Sequence, residues 1–168
     1  MLYGMNTKHS KYCLLNPEKY MENLPAPVCK SSWEERVFEA MDGNAFITKW
    51  GYEPFDIYYM SPKYQKMSIY KPDIYCECKS QESDKPARWL IEIKPHKFSV
   101  MPESPPTIVE SATPAQVKRH NKKMARYYAQ CEEVMVNQAK WSAARNWCSD
   151  RGVNWLVLTE KNAPGSFI

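Results

Sequence analysis

The sequence predicts an α/β protein, a β-sheet core flanked by helices, with one long helix in the C-terminal half. Three observations carry that prediction. Residues 69–94, IYKPDIYCECKSQESDKPARWLIEIK, hold two apolar, β-branched and aromatic runs around a polar segment with Ser80, Ser83, Asp84 and Pro86, which reads as two neighbouring strands joined by a turn. Helix signals open at Ser31-Ser32 and again at Thr113-Pro114, the second leading a helical pattern towards Asp150. The apolar run VNWLVLT at 153–159 then follows a helix, so it is expected as a buried strand beside 89–94, reached by a crossover.

In chain order, residues 1–29 are polar and aromatic, with Pro17, Pro25 and Pro27 and no clear period. They read as an extended arm laid over a single domain at 30–168, or over a partner. Ser32 with Glu35 three residues on matches a capping box, and the helix is expected to run to about Met41, before Asp42-Gly43. On a helical wheel Trp33, Val37, Phe38 and Met41 make the buried stripe. Glu34 falls inside that stripe, whereas Glu35 and Glu39 face away. Either Glu34 makes a buried hydrogen bond or it is an acidic group aimed at a site. The stretch ITKWGYEPFDIYY at 47–59 contains strand-like pieces interrupted by Gly51 and Pro54, as at a sheet edge. Glu53 lies there, near the site or on the surface, and Ser61-Pro62-Lys63 is a turn.

In the run 89–94 side chains alternate faces, so Trp89, Ile91 and Ile93 point one way and Leu90, Glu92 and Lys94 the other. Glu92 and Lys94 then sit about 7 Å apart along one face, and Asp73, after Pro72, brings a second carboxylate beside Glu92. Two carboxylates and a lysine on an apolar strand pair are costly unless something holds them. A hard divalent cation would, since such ions take oxygen ligands from one or two carboxylates plus substrate phosphate. The alternative is a solvated hairpin face with an ordinary Glu–Lys pair.

After Lys94-Pro95, residues 96–113 hold Pro102, Pro105 and Pro106 and read as an irregular loop leaving directly from the site. Thr113 is an N-cap with Pro114 at the first helical position, Arg151-Gly152 closes the helix, and a break near 132–136 is expected in so long an element. Lys118, Lys122 and Arg126 recur four residues apart, with Arg119 and Lys123 alongside. That stripe suits phosphate contacts or is a solvated charged face. Further on, Val136, Ala139 or Lys140, Ala143 or Ala144, and Trp147 are expected to form the core-facing seam.

With 168 residues, 43% hydrophobic and 13% aromatic, the chain is long enough for one real core. Its formal charge of +4 is compatible with nucleic acid without proving it. No apolar run approaches a membrane span and MLYGMNTKHSKY lacks a signal-peptide core, so a soluble, intracellular chain is expected. Of the six cysteines, Cys76 and Cys78 share a strand face and read as core residues; no second Cys/His pair completes a zinc quartet, so no zinc is expected.

Pro72-Asp73 with Glu92-Ile93-Lys94 resembles the PD-(D/E)xK nuclease superfamily. Trp33-Glu34 at a helix start and Trp50-Gly51-Tyr52-Glu53-Pro54 are similar to the branch containing transposon end-cleaving endonuclease subunits. Asn137-Gln138-Ala139-Lys140-Trp141 and Leu156-Val157-Leu158-Thr159-Glu160 are similar to the head-completion nucleases of T-even-type tailed phages. The resemblance spans about 31–160. It implies a restriction-endonuclease-like mixed sheet and magnesium-dependent hydrolysis of DNA phosphodiester bonds, with manganese able to substitute. It also implies a setting in head completion after DNA packaging, with portal or connector proteins of the head and neck as partners. Such a protein would work in the host cytoplasm during assembly, with retention in the virion open. Catalytic roles would fall to Glu34, Asp73, Glu92 and Lys94; Asp73, Glu92, the Ile93 carbonyl and Glu34 would hold the metal. Gln138 and Lys140 match a secondary motif, as support or phosphate contacts beside Lys118, Lys122 and Arg126. Rival readings are a structural head/neck protein with a vestigial site, a transposon- or junction-type nuclease, and a DNA-binding accessory module.

Overall fold

A computed structural model describes residues 10–80, 84–109 and 111–163. The Ser83 of the predicted turn and the first nine residues of the predicted arm lie outside the described residues. The strands are β1 (Ser10–Lys11), β2 (Val28–Cys29), β3 (Ile47–Tyr52), β4 (Ile57–Ser61), β5 (Lys66–Tyr70), β6 (Ile74–Cys78), β7 (Ala87–Ile93) and β8 (Asn154–Leu158), and the α-helices are α1 (Ser32–Gly43) and α2 (Pro114–Arg151). Four strands form a mixed sheet in the order β3-β6-β7-β8. β3 and β7 each run antiparallel to β6 between them, and β8 lies parallel to β7, as a crossover through a helix requires. The predicted mixed sheet flanked by helices, with a long C-terminal-half helix, is the fold observed.

Alternation along β7 decides which layer each residue serves. Trp89, Ile91 and Ile93 join Ile74, Cys76 and Leu158 on the face covered by Val37, Phe38 and Met41 of α1. Leu90 faces the other way, with Tyr75, against Trp141, Ala144 and Cys148 of α2. The same face carries the two-stranded β4–β5 hairpin, whose Ile57, Tyr59 and Tyr70 pack into that second cluster.

Several expectations are corrected. The run 69–78 is two strands rather than one: the chain breaks pairing at Lys71–Pro72–Asp73, so that β5 returns along β4 while β6 joins the sheet. Pro72 has no N–H to donate to a ladder. Gly51 does not interrupt its strand. It lies inside β3 because Leu24 Cδ1 and Met21 Sδ press on the place a Cβ would take, each 2.7 Å from it. There the segment before β2 crosses the sheet edge, with the Met21 N–H donating to the Trp50 carbonyl (2.8 Å). The same segment is fastened by Asp42 at the end of α1, wholly buried. Asp42 accepts from Leu15 N (2.6 Å), Asn16 N (3.0 Å) and the Tyr12 hydroxyl (3.3 Å). Burial, then the Asp42 charge, pushes the Tyr12 hydroxyl up to about 12.

α2 runs unbroken for 38 residues, without the expected break. Thr113 caps it with Gln116 in a capping box, Pro114 sits in its first turn, and Gly152 ends it at φ 61°, where glycine carries no Cβ penalty. Its buried seam is Val134, Asn137, Trp141, Ala144 and Cys148, rotated from the expected one; Val136, Ala139, Ala143 and Trp147 flank it, partly buried. Gln138 is therefore exposed. Among the described residues, no helix is long and apolar enough to cross a membrane.

Candidate active site

The pairing of β6 with β7 brings the end of the loop after Pro72 against the C-terminal end of β7. Asp73 is half-buried there, and its Oδ2 accepts the Ile93 N–H at 2.7 Å. Glu92 is 6% exposed. Its Oε2 accepts the Tyr70 hydroxyl at 2.5 Å, and its charge acts on Asp73. Burial raises the pKa of both. For Asp73 the next cause is repulsion from Glu92; for Glu92, the Tyr70 hydrogen bond and the charges of Lys94 and Lys140 oppose the rise. A pair this close holds a proton more readily than two separate carboxylates do.

The cations come from two elements. Lys94 follows β7 directly, and its N–H continues the ladder to the Leu158 carbonyl (2.9 Å). Glu160 accepts the His96 N–H (2.7 Å), Gln130 donates to the Lys97 carbonyl (2.8 Å) and the buried Asn137 donates to the Phe98 carbonyl (3.1 Å). The turn after Lys94 is thus tied to both β8 and α2. The Lys94 ammonium leans 3.8 Å from Glu133, a half-exposed partner of little net worth. Lys140 of α2 is half-buried, its ammonium 5.5 Å from the Tyr70 ring centre. Burial lowers its pKa, while the Glu92 charge works the other way.

Glu34 lies on the opposite layer, and its charge is a lesser cause of the raised pKa of Asp73. Its role at the start of α1 differs from the expectation. The N-cap is Ser31, whose hydroxyl accepts the Glu34 N–H (3.2 Å), and Glu34 Oε2 accepts the Lys30 N–H (2.5 Å). The capping carboxylate is therefore Glu34, not Glu35, which is exposed. Adjacent Ser31-Ser32 and Glu34-Glu35 spell the same motif in two registers, and packing of Val37 and Phe38 selects the first.

The structure thus brings together Asp73, Glu92, Lys94 and Lys140, with Glu34 at their edge. It leaves Gln138 on the exposed side of α2, and Lys118, Lys122 and Arg126 exposed along its first half. It adds Tyr70 and Lys30, to which the sequence pattern assigns no role, and it places Glu53, half-buried, against Lys30 and the backbone of Asp73. Tyr70 was legible only as a strand residue, because its contact with Glu92 depends on the hairpin folding back. Among the described residues no group of three or more His, Cys, Asp or Glu side chains converges on one point. What the frame offers a cation is a buried carboxylate pair, which suits a hard ion that keeps waters and takes one or two carboxylates. Two neighbouring carboxyls, both driven towards protonation, are the donor set such an ion relieves.

The family described as TnsA-like endonuclease N terminal matches residues 44–160, and the chain belongs to it, a nuclease family. That span runs from β3 to just past β8 and includes Asp73, Glu92, Lys94 and Lys140, with α1 lying before it. More particularly, the Head completion nuclease of Enterobacteria phage T4 is 30% identical to it over 150 residues, covering 89% of each chain.

Proposed function

We propose that this chain is a magnesium-dependent DNA endonuclease of the PD-(D/E)xK type, acting in phage head completion after DNA packaging. The observation that carries this reading is the buried Asp73–Glu92 pair with Lys94 and Lys140 beside it, in a chain of a nuclease family. The similarity to the Head completion nuclease supports the setting, with DNA and the portal or connector proteins of the head and neck as partners.

Asp73, Glu92 and the Ile93 carbonyl would hold the cation, with Glu34 completing the set through water; bound there, it would supply a polarised phosphate and a water of lowered pKa. Everything else falls to the chain's own groups. The Ile93 N–H and the Tyr70 hydroxyl fix the two carboxylates, so that neither reorganises when the substrate arrives. Lys94 orients the attacking water and offsets charge growing on the phosphoryl oxygens. Lys140, on the same side, adds to that field and contacts phosphate. Lys118, Lys122 and Arg126 take phosphates further along the duplex. At 1.5 Å per residue they lie about 21–33 Å along α2 from Lys140, or roughly six to ten base pairs of DNA.

Purified protein incubated with plasmid, single-stranded and branched DNA, with Mg2+, Mn2+ or EDTA, tests this. Cutting should require the divalent ion. Lys94→Ala should still bind Mn2+ by calorimetry but turn over at least about a hundredfold more slowly, the size of loss typical of removing one preorganised electrostatic contact. A wild-type protein that cuts none of these DNAs with either metal would favour a structural head/neck role with a vestigial site. Preference for branched substrates would favour a junction-type nuclease.

A further inference from the structure

One half-exposed ion pair near the site is built at a cost that its strength does not explain. Lys30 Nζ lies 2.6 Å from Glu53 Oε1, with the two side chains 46% and 29% exposed; pairs so open to water add little to stability. Yet Glu53 holds a left-handed backbone, φ 46°, which is unfavourable for any residue with a Cβ and is retained where surrounding contacts over-determine it. Those contacts tie Glu53 to the backbone of Asp73 and to Tyr52. The Glu53 N–H donates to the Asp73 carbonyl at 2.9 Å. The Glu53 carboxylate also accepts the hydroxyl of Tyr52 (2.9 Å), a residue only 6% exposed. Burial works to lower the Lys30 pKa, but its hydrogen bonds to Glu53 and Tyr52 outweigh this and raise it. From its own backbone, Lys30 donates to Glu34 Oε2. A continuous path therefore runs from Glu34 through Lys30 and Glu53 to Asp73, joining the start of α1 to the loop before β6.

We propose that Lys30 and Glu53 form a positioning clamp that sets the spacing of Glu34 from Asp73, and so the geometry in which the α1 side meets the divalent cation and the substrate phosphate. This rests on the metal-dependent reading above. Neither residue need touch the reacting atoms. The left-handed turn at Glu53 is what aims one residue at both ends of the path, its N–H at Asp73 and its carboxylate at Lys30.

Full-length Lys30→Met, Glu53→Gln, Glu53→Gly and the Lys30→Met/Glu53→Gln double variant separate a clamp from a surface pair. Plasmid cleavage gives kcat and KM, calorimetry gives Mn2+ affinity, and Tm controls for folding. Each single variant should lower kcat about tenfold or more, as a misplacement on the order of 1 Å can, with KM for DNA unchanged. The double variant should be no worse than the singles, because either change opens the same clamp. Glu53→Gly should share the loss of kcat while melting no lower than Glu53→Gln, since glycine accepts the left-handed backbone. Mn2+ affinity should weaken in all of them. Lys63→Ala, which removes the comparable exposed pair with Glu132, should match wild type throughout. Additive losses overturn the clamp, as does a change confined to KM and its salt dependence, which would make Lys30 a DNA contact. Wild-type-like kcat and Mn2+ affinity in all variants overturn it as well. If the wild type binds Mn2+ but never cuts, the nuclease reading fails alone, and the affinities still decide the clamp. If it binds no Mn2+, both fail.

Discussion

On the α2 side of the carboxylate pair, Glu92 is nearly inaccessible and hydrogen-bonded to a buried Tyr70, and Lys140 is wedged against that tyrosine's ring. On the α1 side, Glu34 is half-buried at a helix end, and Lys30 and Glu53 are open to solvent. The first arrangement is fixed by packing: moving Glu92 would disturb β7, the hairpin and α2 together. The second is fixed by a few polar contacts at a surface and can shift without opening the core. A site assembled this way has one rigid wall and one adjustable wall. Substitutions on the rigid side should therefore abolish function, and those on the adjustable side should grade it.

The largest effect should come from Asp73→Asn, at the junction of the two walls. Asparagine keeps an acceptor for the Ile93 N–H but removes the charge that the proposed cation would take, so cutting should fall below detection and recover only in part with excess Mg2+. Stability should move in the opposite direction. Both carboxyls have raised pKa values in the folded protein, so the stability they contribute is fully present below the ordinary carboxylate range. It is lost as pH rises through the raised folded-state values. In EDTA at neutral pH, Asp73→Asn should melt above wild type, and the gap should close on acidification. A gap that widens towards acid pH would mean that the pair is not repulsive.

A smaller, graded effect is expected at Glu34. Because Glu34 rather than Glu35 receives the Lys30 N–H, the capping contribution and the proposed site contribution fall on one residue. Glu34→Gln should lower kcat by about ten- to a hundredfold, the range given by a misplaced or missing polar group. It should also cost about 0.5–1 kcal/mol of stability through the lost charge at the helix N-terminus. Glu35→Gln should leave activity and Tm near wild type. Denaturant melts and single-turnover cleavage of the two variants side by side check this. A silent Glu34→Gln would remove the α1 wall from the chemistry.

The rigid wall was largely legible in the sequence, because period-two alternation is a local property: Leu90 against Ile91 and Glu92 against Ile93 sort correctly from spacing alone. So do the ends of α2, where Thr113-Pro114 and Gly152 act through their own backbone. The adjustable wall was harder to read. A one-residue shift of the α1 cap is invisible where Ser and Glu are each doubled, and only the packing of Val37 and Phe38 resolves it. Lys30 meets the Glu53 carboxylate across 23 residues and, on the rigid side, Tyr70 meets Glu92 across 22, both by tertiary folding. Asn137 displaces an apolar residue from the α2 seam because the Phe98 carbonyl needs a donor there. That rotation turns Gln138 outward and leaves Lys140 facing the site.

The smallest effect is expected furthest from both walls, on the first half of α2. Lys118, Lys122 and Arg126 are exposed there, while the buried seam begins only at Val134. No layer of the core constrains these side chains, so replacing one by Ala should leave Tm and the kcat at saturating DNA unchanged. Each lost phosphate contact should make the slope of log affinity against log salt shallower by about one unit and weaken binding to all sequences alike. Binding titrations at several salt concentrations, done with the Lys94→Ala background to prevent cutting, give that slope directly. A change in slope without a change in kcat would show that this half of the helix holds DNA at a distance from the carboxylates. An unchanged slope in all three variants would mark the stripe as a solvated face, and DNA contact would then have to come from the site itself.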